Sequence, residues 1–380
     1  MLGSKRQVFL ISFILIIVIG LAFSYGFLSY HYKLPPYNFI MQNNFIRQIN
    51  YTIITPITSE EPDQYTGNIL KSIKIENEDD IIKKRNSLIK YIWKSENLPK
   101  KYPSVIKNIS DEHYSNLKNL KQIDKLVVDM EYNFSSISYY FHSSKPNNEL
   151  IIYHQGHGSE FIKEYDIVQK FLNNGYDVIV ISMPLVGKNN QPEIELEGFG
   201  KVKFTSHKYF IFLDNETFSS IKLFIEPSIL TVNYAQKLGY EKIYMIGFSG
   251  GGWTTVLVSA IDPRISKSYH IAGSYPIYIR FLDAKSWGDY EQMELGLYRI
   301  ANYLELYILG SYGDNRKQVQ ILNLYDSCCF SGRYYLSYEN ILYKKIELLG
   351  KGNFTIFVDD THSQHELSKT VLNFIIDDLK

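Results

Sequence analysis

One stretch, residues 242–253, limits most strongly what this chain can fold into, because it reads K-I-Y-M-I-G-F-S-G-G-G-W. Its apolar run at 243–246 has the composition of a buried strand, and small residues with helical spacing follow Ser249. The G-x-S-x-G pattern permits a turn too tight for side chains two positions before and after the serine. Such a turn lifts the Ser249 hydroxyl above the sheet edge and points the Gly250 N–H at a developing negative charge. The stretch therefore predicts a nucleophilic serine with Gly250 as an oxyanion-hole donor.

Predicted strands and helices alternate on both sides of this turn. Further strands are predicted by the apolar runs at 150–153, 177–182, 268–271, 319–324 and 354–358. Helical spacing is found at 160–172 and 228–238. Strands that alternate with helices at this spacing favour a mostly parallel sheet. The sequence thus predicts an α/β fold.

On the residues of the serine turn, the chain resembles the α/β-hydrolase superfamily, and the resemblance extends over about residues 124–380. It implies a mostly parallel eight-stranded sheet flanked by helices. It also implies an oxyanion hole built partly after the third strand, and an acid and a histidine further along the chain. No metal and no organic cofactor is expected.

The third predicted strand runs directly into His154-Gln155-Gly156-His157-Gly158. The resemblance places the oxyanion hole at this loop, so Gln155 or a neighbour is expected to donate the second N–H. His154, Gly156 and His157 are candidate substrate contacts. The two histidines also suggest a metal site, but no Cys, His or Asp cluster at ligand spacing accompanies them, so none is predicted.

An acid and two histidines follow the last two predicted strands. Asp326 comes at the end of the strand at 319–324, where it can accept the Nδ1 hydrogen of a histidine and hold the ring in one tautomer. The loop after the last strand contains both His362 and His365. His365-Glu366-Leu367-Ser368 resembles the start of the last helix in the carboxylesterase and thioesterase branches. This favours His365 as the general base, with His362 as the alternative.

Ser249, Asp326 and His365 occur in the chain order that the superfamily uses. His365 would remove the Ser249 proton as the hydroxyl attacks a small-molecule ester, and Asp326 would stabilise the imidazolium. The expected function is that of a serine carboxylic ester hydrolase. A serine peptidase or acyltransferase would use the same triad, and a non-catalytic membrane-anchored interaction protein would use the same scaffold.

Residues 1–30 have the pattern of a targeting segment. Lys5 and Arg6 precede an apolar run from 8 to 23 that continues more weakly to Leu28. A secretory signal and an N-terminal membrane anchor share this pattern. Small residues allow cleavage after Ser24, but the whole run approaches the roughly 20 residues that span a bilayer. We expect an anchored protein with its catalytic domain outside the cytoplasm, or a secreted one if the segment is cleaved.

The charge balance excludes one class of partner. Lys plus Arg and Asp plus Glu number 40 each among 380 residues, so no electrostatic attraction to nucleic acid is expected. Residues 31–123 lack hydrolase landmarks and are assigned to an N-terminal extension or cap that contains an amphipathic helix at 81–93. Residues 124–380 form the predicted catalytic domain, in which the aromatic-rich segment 273–316 is a candidate lid.

Cys328 and Cys329 are the only cysteines, and they are adjacent. Neighbouring residues rarely reach disulfide geometry. The sequence therefore predicts a buried, unbonded pair in preference to a disulfide, and in preference to a reactive or metal-binding pair.

Overall fold

The computed structural model describes residues 20–22, 24–26, 69–158 and 164–380. Contacts divide the chain into two compact units, Met1–Ser59 and Glu60–Lys380. In the first unit residues 20–22 and 24–26 are helical, and the rest of the predicted targeting segment lies outside the described residues. Within the described ranges, no helix has both the length and the apolar character needed to cross a membrane.

The second unit is built on a nine-stranded sheet. Its strands are β1 (Ser104–Ile106), β2 (Leu120–Asp129), β3 (Ser135–Ser143), β4 (Glu149–His154), β5 (Asp177–Ile181), β8 (Lys242–Phe248), β9 (Ile265–Ile271), β10 (Lys317–Asn323) and β11 (Asn353–Asp359). β6 (Glu193–Leu196) and β7 (Gly200–Lys203) form a separate antiparallel pair.

The order across the large sheet is β1-β2-β3-β5-β4-β8-β9-β10-β11. All neighbours from β5 to β11 are parallel, whereas β1, β2 and β3 pair antiparallel, as β3 also does with β5. The predicted mostly parallel sheet is therefore confirmed. It has one strand more than the eight expected, because the three-residue β1 adds to the β2 edge.

Helices cover both faces of this sheet. They are α1 (Glu78–Trp93), α2 (Tyr165–Asn173), α3 (Ile221–Lys237), α4 (Gly250–Ile261), α5 (Ile277–Arg280), α6 (Leu295–Ile300), α7 (Tyr303–Ser311), α8 (Glu339–Leu349) and α9 (Lys369–Leu379). Side chains alternate along a strand, so Leu150 and Ile152 of β4 join the core beneath α1, α3, α4, α6, α7 and α8. Ile151 and Tyr153 join the core beneath α2 and α9.

The described part of the N-terminal extension is a packing element of the second unit. Arg85 of α1 donates to the carbonyl oxygens of Ala260 at 2.9 Å and Leu309 at 3.2 Å. Trp93 Nε1 donates to Glu226 Oε2 at 2.9 Å. The domain boundary predicted at 123/124 is wrong, because it falls inside β2, whose pairing with β3 begins at Leu120.

The candidate lid segment 273–316 has two different parts. Every residue of α7 is buried, so this part belongs to the core. The earlier part carries Phe281, which is 70% exposed, and Trp287, which is 43% exposed, with ring centroids 5.2 Å apart. For the part that carries this exposed pair, the lid stays a prediction.

Candidate active site

Ser249 lies in the turn between β8 and α4, with φ 76° and ψ −114°. This left-handed backbone region is costly for any residue with a Cβ. A Cβ at Gly247 would collide with the Gly251 carbonyl, and one at Gly251 would collide with the His154 carbonyl. The two glycines of the motif are therefore required because backbone passes directly over each of them.

A third glycine supports the same turn. The Ser249 N–H donates to the Ile271 carbonyl oxygen at 2.8 Å, and a Cβ at Gly273 would collide with the Ser249 carbonyl oxygen. No role for Gly273 was expected from the sequence, since no motif around it requires a glycine. Its role depends on the place that β9 takes beside β8 in the sheet.

The structure brings together Ser249, His365 and Asp326. Ser249 Oγ lies 2.9 Å from His365 Nε2, and His365 Nδ1 lies 2.7 Å from Asp326 Oδ2. The Asp326 side chain is fully buried, whereas that of His365 is 21% exposed. A carboxylate on Nδ1 holds the tautomer in which Nε2 can accept a proton. The arrangement can therefore activate the Ser249 hydroxyl.

Asp326 is held by the residues that follow it. Its Oδ1 accepts the backbone N–H groups of Cys328 at 2.8 Å and Cys329 at 3.3 Å. Asn323 Nδ2 lies 3.4 Å from Oδ2. These donors stabilise the charged carboxylate and fix its orientation toward His365.

The prediction for the two cysteines is wrong. Cys328 and Cys329 are joined by a disulfide, and Cys328 is exposed while Cys329 is half-buried. The backbone N–H groups of both residues donate to one oxygen of Asp326. Cys329 Sγ lies 3.9 Å from each ring nitrogen of His365. The disulfide thus packs against the His365 ring.

His362 lies apart from Ser249 and is paired with another acid. Its Nε2 lies 3.1 Å from Asp359 Oδ2. Burial of the ring disfavours its charged form, but the nearby carboxylate of Asp359 outweighs this and raises the pKa of His362. Asp359 also accepts from Thr361 N at 2.9 Å and from Ser368 Oγ at 2.5 Å. Of the two histidines left open by the sequence, only His365 contacts the serine.

The loop after β4 does not offer the Gln155 N–H as an oxyanion donor. That N–H donates to the Ile181 carbonyl oxygen at 2.9 Å and extends the β4–β5 ladder by one residue. The Gln155 side chain accepts the Gly156 N–H at 2.8 Å. A Cβ at Gly156 would lie 2.7 Å from Ser249 Cβ, so the loop passes directly beside the nucleophile. The Gln155 N–H is therefore not free to bind an oxyanion, and the alternative of a neighbouring residue in the loop stays a prediction.

The two loop histidines differ in environment. His154 is buried with its Nδ1 2.9 Å from the Gln155 carbonyl oxygen, and burial lowers its pKa to about 4. Its ring is neutral at neutral pH and is not placed to contact a substrate. The His157 imidazole packs on the first residue of α4, where a Cβ at Gly250 would collide with it.

His157 also belongs to a cluster that was not expected from the sequence. Ligand atoms of His157, His207, Asp289 and Glu291 all lie within 4.8 Å of one another. The sequence has no cluster at ligand spacing beside the loop histidines, and the structure assembles this one only in space. Its members come from three segments far apart in the chain, so no local ligand spacing could have indicated it.

The strained backbone of Ser249 leads to a stability prediction. Ser249→Gly is expected to be more stable than Ser249→Ala by about 1 kcal/mol, because glycine adopts φ 76° without the cost that any Cβ incurs. Urea unfolding of the two inactive variants measures the difference. Ala260→Gly, at a buried position of α4 with no positive φ, is the control and is expected to lose about 1–2 kcal/mol relative to the wild type, because it removes a buried methyl group and loosens the backbone of the unfolded chain. A less stable Ser249→Gly would show that the turn is not strained.

Comparison with known proteins adds to this geometry. No family model matches the sequence, and no curated protein is similar to it in sequence. The structure is similar to acetyl xylan esterase 1 from Thermoanaerobacterium sp. JW/SL YS485, with a TM-score of 0.54 and 12% identity over 79% of this chain and 92% of that one. An acetyl xylan esterase from Paenibacillus sp. R4 gives a TM-score of 0.53 and 14% identity over 82% and 98%. These similarities concern the fold, and with them the predicted α/β-hydrolase fold is confirmed.

Proposed function

We propose that this chain is a serine esterase that hydrolyses a small-molecule carboxylic ester through an acyl-enzyme on Ser249. The observation that carries the proposal is the hydrogen-bonded chain from Ser249 Oγ through His365 to the buried carboxylate of Asp326. This constellation is recognised by its geometry and roles, and here it stands on a strained turn at the end of a parallel strand.

His365 is the proposed general base. Its Nε2 takes the hydroxyl proton as Ser249 Oγ bonds to the ester carbonyl carbon, and the imidazolium then gives that proton to the departing alcohol. Asp326 stabilises the imidazolium through Nδ1. A water molecule then attacks the acyl-enzyme while His365 takes its proton. The imidazolium returns that proton to Ser249 Oγ, and the acid leaves.

Two backbone N–H groups are the proposed oxyanion hole. Gly250 is the first residue of α4, and the first N–H groups of a helix have no partner within it. The second donor is the N–H of His157, because Gln155 and Gly156 donate elsewhere. The close approach of Gly156 to Ser249 and of the His157 ring to Gly250 supports this assignment. Both donors would face the oxygen that becomes negative during attack.

Hydrolysis of p-nitrophenyl acetate and butyrate by the purified full-length chain tests the proposal, together with labelling by a fluorophosphonate probe. Turnover and labelling of Ser249 are expected. A chain that neither hydrolyses these esters nor reacts with the probe would have no working nucleophile. Labelling without turnover would instead indicate an acyl acceptor other than water.

We also propose that the catalytic unit works outside the cytoplasm. Support comes from Lys5 and Arg6 before the apolar run at 8–28, and from the Cys328–Cys329 disulfide, since such bonds persist in oxidising compartments. Carbonate extraction and external protease treatment of expressing cells test this. A membrane-bound chain that protease digests in intact cells is expected, and a protected chain would contradict the proposal.

A further inference from the structure

Four side chains beside the serine converge at one point. His157 Nε2 lies 2.8 Å from Glu291 Oε1 and 3.9 Å from Asp289 Oδ2, and His207 Nδ1 lies 3.4 Å from Asp289 Oδ2 and 3.9 Å from Glu291 Oε2. Four ligands at zinc bond lengths in a tetrahedron would stand about 3.4 Å apart. The four nitrogen–oxygen distances, from 2.8 to 3.9 Å, lie around this value, so small shifts of the side chains would give zinc geometry.

The negative charge of the cluster lacks a fixed counter-charge. The Glu291 side chain is fully buried, and its Oε2 has no hydrogen-bond partner among the described residues. Among those same residues, no Lys or Arg nitrogen lies within 4.0 Å of Asp289 or Glu291. Holding two charged carboxylates together in a largely buried site costs free energy unless cations neutralise them. A divalent ion would neutralise both.

Neighbouring groups orient the ligand atoms inward. His207 Nε2 lies 2.8 Å from the Pro184 carbonyl oxygen, to which it must donate, and the neutral ring then presents the lone pair of Nδ1 to the acids. Asp289 Oδ1 accepts the Tyr290 N–H at 2.9 Å, which leaves Oδ2 facing the histidines. Outer contacts of this kind are typical of metal-bound histidines and carboxylates.

We propose that His157, His207, Asp289 and Glu291 bind one divalent transition-metal ion. Two imidazoles with two carboxylates suit zinc better than calcium or magnesium, which prefer oxygen ligands alone. With four protein ligands the ion is structural and does not contact the substrate.

The ion joins the loop after β4, the 3₁₀ turn His207–Phe212 and the connection between β9 and α6. Through His157 it fixes the loop beside Gly250. His157, His207, Asp289 and Glu291 are thus positioning residues. This inference does not depend on ester hydrolysis, since metal content is read independently of activity.

The test uses the full-length chain, stripped with EDTA, returned to chelator-free buffer without reductant, and titrated with Zn²⁺ against a chromophoric chelator. One tightly bound ion per chain is expected. Asp289→Asn and His207→Gln are each expected to weaken binding by roughly 100-fold or more. The control is His142→Gln, which removes a histidine also paired to a carboxylate, Asp124, at 2.9 Å, and it should bind like the wild type.

A second readout separates loss of the site from loss of the fold. Zn²⁺ should raise the unfolding temperature of the stripped wild type and of His142→Gln, and leave that of the isosteric Glu291→Gln variant unchanged. Co²⁺ should give the visible bands of a tetrahedral complex in the wild type and in His142→Gln, and should not give them in Glu291→Gln. A stripped chain that binds no Zn²⁺ would overturn the proposal and leave protonated histidines as the partners of the two acids. Equal binding by Asp289→Asn, His207→Gln and the wild type would also overturn it.

Discussion

Ser249→Ala is expected to lower kcat for p-nitrophenyl esters by about 10⁴- to 10⁶-fold, with little change in KM. The variant removes the oxygen that lies 2.9 Å from His365 Nε2, while the backbone N–H groups around it and the fold remain. Loss of a nucleophile removes the covalent route altogether, so the remaining rate reflects binding and electrostatic stabilisation alone. Steady-state kinetics of the wild type and the variant measure the effect.

The matched control is Ser115→Ala, which removes a hydroxyl from an exposed turn where it donates to the Glu112 carbonyl oxygen. It is expected to keep full activity and fluorophosphonate labelling. Ser249→Ala should lose labelling while retaining the cooperative thermal unfolding of the wild type. Ester turnover that survives in Ser249→Ala at the wild-type rate would remove this serine from the mechanism.

His365→Gln is expected to lower kcat by about 10³- to 10⁵-fold, whereas His362→Gln should retain kcat within tenfold. Only His365 lies between Ser249 and Asp326, and glutamine keeps a hydrogen-bonding group there but cannot accept a proton at neutral pH. The same substitution at two histidines three positions apart makes each the control of the other. If His362→Gln were the inactive variant, the loop would adopt another arrangement in solution.

His362→Gln should instead lower stability in a pH-dependent way, by about 1–2 kcal/mol where its pair with Asp359 is fully charged. The raised pKa of His362 means that its contribution is complete below the ordinary histidine value and is lost as the pH rises through the raised one. The lowered pKa of Asp359 means that its contribution is lost only in strong acid. The deficit in urea unfolding should therefore be larger at about pH 5.5 than at about pH 9. An equal deficit at both would argue against the ion pair.

Much of the fold could be predicted because its signals are local. The parallel strands matched their apolar runs to within a few residues, and Ser368 caps α9 by accepting the Val371 N–H at 3.0 Å. The helix before the serine turn begins earlier than expected, at Ile221, with Pro227 inside it. Pro227 and the neighbouring Ile225 are buried, so tertiary packing overrides the local preference of proline to end a helix.

The candidate site, like the fold, has parts that could be predicted from the sequence and parts that could not. Ser249, Asp326 and His365 each follow a predicted strand, and parallel strands bring such positions to one edge of the sheet. The sequence of the loop could not show that the Gln155 N–H is already engaged, because its acceptor is the Ile181 carbonyl oxygen on a strand that is only its spatial neighbour.

The sequence by itself determined the strand, turn and helix around Ser249 and the order of the triad, because a G-x-S-x-G turn is a constraint on a few consecutive residues. The tertiary structure alone placed His365, and not His362, against Ser249, since each ring lies beside a different carboxylate at the edge of the sheet. It also brought His207 to Glu291. Contacts between residues so distant in the chain arise only when strands and helices pack, and no local pattern encodes them.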